Sequence, residues 1–297
     1  MHKKKGSRMK TINSRSKFIA GALTAVCGGL FAAGASAITL QEVKEKGFVN
    51  VAVANEIPYG FVNAKGEAEG AGPAVAAQVL KRMGIDEVQW VVTQFGSLIP
   101  GLKAERFDMV AAEMAILPER CKAVIYSEPN TSYGEGLLVQ KGNPHDLHGY
   151  KQFAEGDLKV AIMAGADQLE MLQKLGVPEA NMVTINSNSD AISTVSTGRA
   201  AAYAATGLTA SNLAEMSEAV NLAEPFEDPV IDGNEVRSWG GFTFANSSKD
   251  FRDAFNAELS EFKKTEDWKN ILQQYGFTPA DIQGSFAKTT EQLCNAE

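Results

Sequence analysis

Hydrophobic and polar positions alternate along this chain in two rhythms, and each predicts an element. Short Val- and Ala-rich runs bounded by Gly, Pro or Asn predict strands at 47–55, 88–92, 109–116, 159–163, 182–185, 200–206 and 236–244, with a further strand and turn over 136–144. Stretches with apolar residues three and four apart predict helices at 72–84, stopped by Gly84, and at 97–105, with Ser97 as N-cap. The same spacing predicts a helix fed by a loop over 164–176, and another from about 189 to 199 capped by Ser189 or Asp190. Residues 247–276 are strongly helical with a break near Thr265, and Phe251, Phe255, Leu259 and Phe262 form the core face of that pattern. Pro58 and Gly60 mark an irregular turn over 56–61, and the acidic, Pro-containing stretch 221–235 predicts a surface loop.

The order of these elements is β-α-β-α-β, a change of character near residues 132–136, a second α/β unit, and a late return strand. That order predicts an α/β architecture of two lobes on mostly parallel sheets. Lobe 1 is expected over residues 38–132 plus 240–297 and lobe 2 over 133–239, joined by two short crossings, one near Ser132 and one at Trp239 to Gly241. A cleft between two such lobes is a common place for a ligand.

The N-terminal pattern is different. Lys3, Lys4, Lys5, Arg8, Lys10, Arg15 and Lys17 form a basic segment without an acid, followed by a small-residue apolar run over 18–33 and by Ala35-Ser36-Ala37. This is the layout of a secretory signal peptide cleaved after Ala37. The apolar run is short of the roughly 20 strongly apolar residues of a membrane span. Residue 26 is Val rather than the small residue that a lipoprotein signal at Cys27 wants. The expected mature chain is therefore exported and soluble. The leader holds seven of the 28 Lys and Arg and none of the 36 Asp and Glu, which leaves 21 basic against 36 acidic residues, a net charge of −15. So acidic a surface argues against nucleic acid and against anionic membranes as partners.

Candidate chemistry centres on Arg120. The predicted strand 109–116 delivers the chain to Pro118-Glu119-Arg120. Pro suits the first turn of a helix and Glu119 complements its N-terminus. Arg120 then sits just past the C-terminal end of a strand, the edge where open α/β sheets place ligands, and its planar fork matches a carboxylate. A surface Arg paired with an acid is the alternative. Removing the leader leaves Cys121 and Cys294. An even pair in an oxidising compartment suggests a disulfide tying the C-terminal tail to the helix of Arg120, with two unpaired thiols as the alternative. The few Cys and His residues offer no metal-ligand cluster, and nothing calls for a cofactor.

The residues NEIPYGF, FGSLIPGL, ERFDMVAAEMAILPERC and SEPNTSYGEGLLVQKGNP together resemble the periplasmic solute-binding proteins of polar amino-acid ABC importers. Within that family they are most similar to the ectoine/hydroxyectoine-binding branch, whose late Cys they also share. The resemblance spans essentially the whole mature chain. It implies a two-lobed type II periplasmic binding fold with a two-strand hinge, a monomer, and permease subunits in the inner membrane as partners. It implies a zwitterionic or cationic solute. Glu56 would meet the cationic ring nitrogens, Tyr59 and Phe95 would form an aromatic box, and Arg120 would take the carboxylate. The chemistry is sound without the family, because delocalised cations are attracted to aromatic faces and a Glu supplies the counter-charge. Phe95 taken alone also suits a core position.

Several positions depart from the family pattern. Thr206 stands where general amino-acid binders carry the Asp that holds an α-ammonium, as the ectoine branch also lacks it. Residues two apart on a strand face the same way. Glu113 and Ala115 are therefore expected to point at the ligand, where the ectoine branch has Gly and a box aromatic. Leu117 replaces a hydroxyl donor. Trp239 is a candidate for a restored aromatic wall or for hinge packing. The loop Ala164-Gly165-Ala166 precedes a helix, and its free N–H groups are candidates for the ligand carboxylate. These residues point to a non-catalytic capture protein with a redesigned pocket for a compatible solute or amino-acid derivative. A periplasmic dehydratase using Glu113 as its acid is the alternative, and a sensor subunit is a third.

Overall fold

The computed structural model describes residues 38–296, and the predicted leader and cleavage site lie outside the described residues. Two sheets carry the architecture. In the first, strands Glu87–Val92, Phe48–Val53 and Met109–Ala115 pair in parallel, and the returning strand Ser238–Phe244 joins them antiparallel beside Met109–Ala115. In the second, Met182–Ile185, Val160–Met163 and Ala202–Thr206 run parallel, Glu135–Gln140 pairs antiparallel with Ala202–Thr206, and the edge strand Val220–Leu222 pairs antiparallel with Glu135–Gln140. The chain leaves the first sheet after Thr131–Tyr133 and returns at Ser238, and these two segments pair with each other, Trp239 opposite Ser132. This is a two-lobed α/β periplasmic binding fold of type II.

Each lobe has its own apolar interior. Helices Ala71–Arg82, Lys249–Phe262 and Glu266–Gln274 cover one face of the first sheet. Phe251, Phe255, Leu259 and Phe262 are all buried there, as their spacing of four, four and three residues requires. Thr265 breaks the long helical stretch by capping the next helix, its side chain accepting from the Trp268 N–H. In the second lobe, Leu137, Val139, Val160 and Ile162 pack on one face of the sheet and Leu138, Ala161, Tyr203 and Ala205 on the other. That is the two-sided burial expected of parallel strands. The alanine-rich run is a strand because it is central and covered on both faces.

Three local expectations are corrected. Ser97 precedes helix Leu98–Lys103 but its side chain makes no capping bond, because Phe95–Ser97 first winds into a 3₁₀ turn. The N-cap of helix Asn188–Ser196 is Ser187, not Ser189 or Asp190. The supposed loop 221–235 contains the end of an edge strand and a small hairpin, Val230–Ile231 with Asn234–Glu235. Cys121 and Cys294 are joined as a disulfide with their Cα atoms 5.7 Å apart, linking helix Pro118–Cys121 to helix Thr290–Cys294. Among the described residues no helix is long and apolar enough to cross a membrane.

Candidate functional site

The C-terminal ends of the parallel strands of both sheets meet at one cleft. Its cavity holds about 400 Å³ of space free of atoms, part of it open to solvent. The first lobe contributes Glu56 and Tyr59 from the turn after strand Phe48–Val53, Phe95 from the 3₁₀ turn, and Ala112, Glu113 and Ala115 from strand Met109–Ala115. The second lobe contributes Met163, Ala166, Asp167 and Gln168 from the loop and first turn after Val160–Met163, and Tyr203, Ala205 and Thr206 from the next strand. Tyr133, on the crossing, also lines it. Glu56, Tyr59, Phe95, Glu113, Ala115, Ala166 and Thr206 are thus brought together as their sequence positions predict.

Hydrogen bonds across the cleft hold the lobes closed. Tyr59 Oη donates to Thr206 Oγ1 at 2.9 Å, Thr209 Oγ1 donates to Glu56 Oε1 at 2.8 Å, and Arg120 Nη2 donates to the Gly165 carbonyl at 2.9 Å. Backbone approaches backbone at the rim. Gly165 has φ +80°, and a Cβ built there would lie 2.9 Å from Gly96 Cα, so this contact requires two glycines.

Electrostatically the cavity is acidic. The charged side chains that line it are Glu56, Glu113 and Asp167. Burial pushes the Glu56 carboxyl up to about 7, against the hydrogen bond from Thr209 and with help from the negative Asp167. Burial likewise pushes Glu113 to about 7, opposed by bonds from Thr131 and Asn130 and by the Lys263 ammonium. The phenols of Tyr59, Tyr133 and Tyr203 are raised well above their ordinary range, first by burial, and stay neutral. The site therefore offers aromatic rings and carboxylates together, the combination that attracts an organic cation.

Glu113 is more constrained than its register suggests. Its φ is +48°, a left-handed conformation that costs a non-glycine residue about 1–2 kcal/mol, and the pairing with Ser238–Phe244 shifts register nearby. Simple alternation fails here, so Ala112 lines the cavity along with Glu113 and Ala115. Both Glu113 oxygens accept bonds from the first crossing, Oε1 from Asn130 Nδ2 at 2.7 Å and Oε2 from Thr131 Oγ1 at 2.8 Å. Asn130 Oδ1 in turn accepts from Trp268 Nε1 at 2.8 Å. The carboxyl is tied into the crossing and the helical core behind it.

Four other predicted positions are corrected in part. Arg120 does not line the cavity. It is half-buried at the rim, with Nη1 on the Ala115 carbonyl and its Cζ 5.6 Å from the centre of the Phe95 ring. Gly165 acts through its carbonyl and its close approach to Gly96. The neighbouring N–H groups expected to be free are not, since Ala164 N donates to Ile185 O and Ala166 N to Met163 O. Trp239 is a packing residue of the crossing, its Nε1 bonded to the Gly284 carbonyl, and it is not a wall of the cavity. Thr206 lines the cavity, but its hydroxyl also caps helix Gly207–Glu215 and accepts from Tyr59. The aromatic walls that sequence reasoning missed are Tyr133 and Tyr203. Their signal was weak, because one sits in a crossing and the other in an alanine-rich strand. Asp167 and Gln168 were also missed, although they follow the loop that was singled out.

A closed interlobe cleft at the strand ends of two α/β lobes defines a binding protein of the periplasmic type. The chain belongs to the bacterial extracellular solute-binding proteins, family 3, whose model matches residues 49–278. A probable amino-acid ABC transporter periplasmic-binding protein of Sinorhizobium fredii is 56% identical over 263 residues, 88% of this chain and 87% of that one. A probable histidine-binding protein of Campylobacter jejuni is 30% identical over 205 residues, 67% of this chain and 73% of that one. Among solved structures, EhuB in complex with hydroxyectoine superposes with a TM-score of 0.78 at 31% identity, covering 86% of this chain and 98% of that chain. An ancestral amino acid-binding protein, a precursor of cyclohexadienyl dehydratase, matches in fold with a TM-score of 0.68 at 24% identity, over 79% of this chain and 97% of that chain.

Proposed function

We propose that this protein is the extracytoplasmic solute-binding subunit of an ABC importer, and that it captures a small cationic or zwitterionic solute of the ectoine or amino-acid-derivative class by closing its two lobes. The observation that carries this reading is the cavity itself, where Tyr59, Phe95, Tyr133 and Tyr203 surround a space whose charged liners are carboxylates. The likeness to the hydroxyectoine complex of EhuB supports a compact cation-bearing ligand. Glu56 faces the cationic group. Arg120, at the rim against Phe95, keeps donors beyond the two bonded to backbone carbonyls and receives a carboxylate where the solute has one. Closure sequesters the solute and presents the closed form to a membrane permease. The leader directs the chain to the periplasm, and the Cys121–Cys294 bond forms there.

The enzymatic alternative required Glu113 as a free acid in the cleft. Its two oxygens are both engaged by the crossing, which favours a structural role and simple capture. A thermal-shift screen of residues 38–297 against ectoine, hydroxyectoine, betaines, diamino compounds, ordinary amino acids and cyclic carboxylates tests the reading. A true ligand at about a hundred times its Kd adds about 2.7 kcal/mol of stability. It is expected to be recovered unchanged, and conversion of a cyclic carboxylate would refute capture.

A further inference from the structure

Glu56 and Tyr59, both on the first lobe, are joined through the second lobe by an unbroken run of hydroxyl groups. Tyr59 Oη donates to Thr206 Oγ1 at 2.9 Å, Thr206 Oγ1 to Thr209 Oγ1 at 3.1 Å, and Thr209 Oγ1 to Glu56 Oε1 at 2.8 Å. The carboxylate fixes the polarity of the run. An ionised carboxylate only accepts, so Thr209 gives its single hydroxyl proton to Glu56. Thr209 then accepts from Thr206, and Thr206 accepts from Tyr59. The other acceptor within reach of Thr209, the Ile57 carbonyl, is farther away at 3.4 Å. Thr209, Thr206 and Tyr59 are all buried, so solvent has little access to these links. The Tyr59 ring is itself held edge-on against Tyr133 and Phe277, with centroids 5.2 and 5.8 Å apart. The donors that favour the ionised form of Glu56 stand on the second lobe. They are the Thr209 hydroxyl and the amide of Asn188, whose Oδ1 accepts from Tyr203 Oη at 2.8 Å. Glu56 also lines the cavity, so the acceptor capacity left on its carboxylate is open to a solute.

On the reading of the protein as a capture subunit, we propose that Thr206 and Thr209 are positioning residues, forming a directional hydroxyl relay that holds the ionised carboxylate of Glu56 toward the solute. The first and last members of the relay stand on one lobe and the middle two on the other, so closure of the lobes completes it. Closure thereby favours charged Glu56, the form that attracts a cation. Successive hydroxyl donors polarise one another, so the three links act as a unit and not as separate bonds. Thr206 also caps helix Gly207–Glu215 through the Thr209 N–H, whereas the Thr209 side chain serves the relay and makes no cap. The two roles can therefore be separated by substitution at Thr209.

The test is calorimetric titration of residues 38–297 with ectoine, hydroxyectoine, histidine and arginine, and then of variants with whichever of the four binds most tightly. Thr209→Val removes the hydroxyl at nearly constant shape and is expected to weaken binding about tenfold or more. Thr209→Ser restores the hydroxyl and is expected to stay within about threefold of the wild type. In Thr209→Val the pH below which affinity is lost is expected to move upward, because Glu56 loses a bond to its charged form. The titratable groups that face Glu56 are Asp167 on the loop after Val160–Met163, Tyr203 on Ala202–Thr206 and Tyr59 on its own turn, and the variant keeps all three. Tyr59→Phe is expected to cost about threefold or more in the wild type and less than about 1.5-fold in Thr209→Val, where the run is already broken. Additive losses would show independent bonds and overturn the relay. Unchanged affinity and an unchanged pH profile in Thr209→Val would overturn it equally, with solute capture left standing. Failure of all four solutes to bind the wild-type chain would instead remove the solute class on which the relay rests, and the relay with it.

Discussion

At the scale of single residues, the site is governed by the cost of burying carboxylates. Glu56 and Glu113 both titrate near 7 instead of 4.5, because burial disfavours their charged forms. A raised folded-state pKa contributes stability that is fully present below about 4.5 and is lost as pH rises through about 7. Thermal unfolding of the ligand-free protein is therefore expected to occur at lower temperature at pH 7.5 than at pH 5, and Glu113→Gln should flatten that slope. A melting temperature that rises across this interval would contradict the assignment. Ligand binding should run the other way. A cation selects ionised Glu56, so affinity falls by up to about tenfold per pH unit below 7, and titration at pH 6 in buffers of different ionisation enthalpy should show proton release.

The residue scale is also where the sequence was most and least informative. Glu56, Tyr59 and Phe95 were legible as cavity liners because each follows a predicted strand at its C-terminal end, the edge where the cavity lies. Arg120 was placed in the right neighbourhood, but its bonds to the Ala115 and Gly165 carbonyls depend on the second lobe, which local patterning does not position. Tyr133 and Tyr203 were invisible as walls for the same reason. The period-two argument gave Glu113 and Ala115 correctly as liners. It did not foresee the positive φ at Glu113, which adds Ala112 and turns the carboxyl to Asn130 and Thr131.

At the scale of elements, the strands were legible from Val- and Ala-rich runs, and the helices from their apolar spacing. The short helices Gly207–Glu215 and Pro279–Gly284 were not, because their burial is set by the crossings and by neighbouring strands. The loop at Gly165 carries a prediction. Gly165→Ala places a Cβ 2.9 Å from Gly96 Cα and should weaken ligand binding tenfold or more by opposing closure. Gly176→Ala is the control: φ there is +83°, yet a Cβ would meet nothing within 4 Å. It carries the same backbone strain and should leave affinity unchanged. Equal losses in the two variants would mean that strain, and not contact between the lobes, is responsible. The tail offers another prediction. Cys294→Ser should lower stability by about 2–4 kcal/mol in chemical denaturation, the usual effect of losing a native disulfide. The intact protein should show no free thiol at Cys121 or Cys294 until it is reduced.

At the scale of the whole molecule, each lobe has its own core, and the two meet through polar and aromatic contacts such as Tyr59 with Thr206 and Arg120 with the Gly165 carbonyl. An interface of this polar kind favours relative motion of the lobes. The three cross-cleft hydrogen bonds from Tyr59, Thr209 and Arg120 mark where a solute would stabilise the closed form. Binding energy and closure are then the same event, with Glu56 at its centre. The most direct test is calorimetric titration of residues 38–297 and of its Glu56→Gln variant with the best solute from the screen, followed by recovery of that solute for NMR. The expected result is stoichiometric binding to the wild-type chain, at least a tenfold loss in Glu56→Gln, and a chemically unchanged ligand. Unaltered affinity in the variant, or a ligand recovered as a product, would contradict capture of a cation in this cleft.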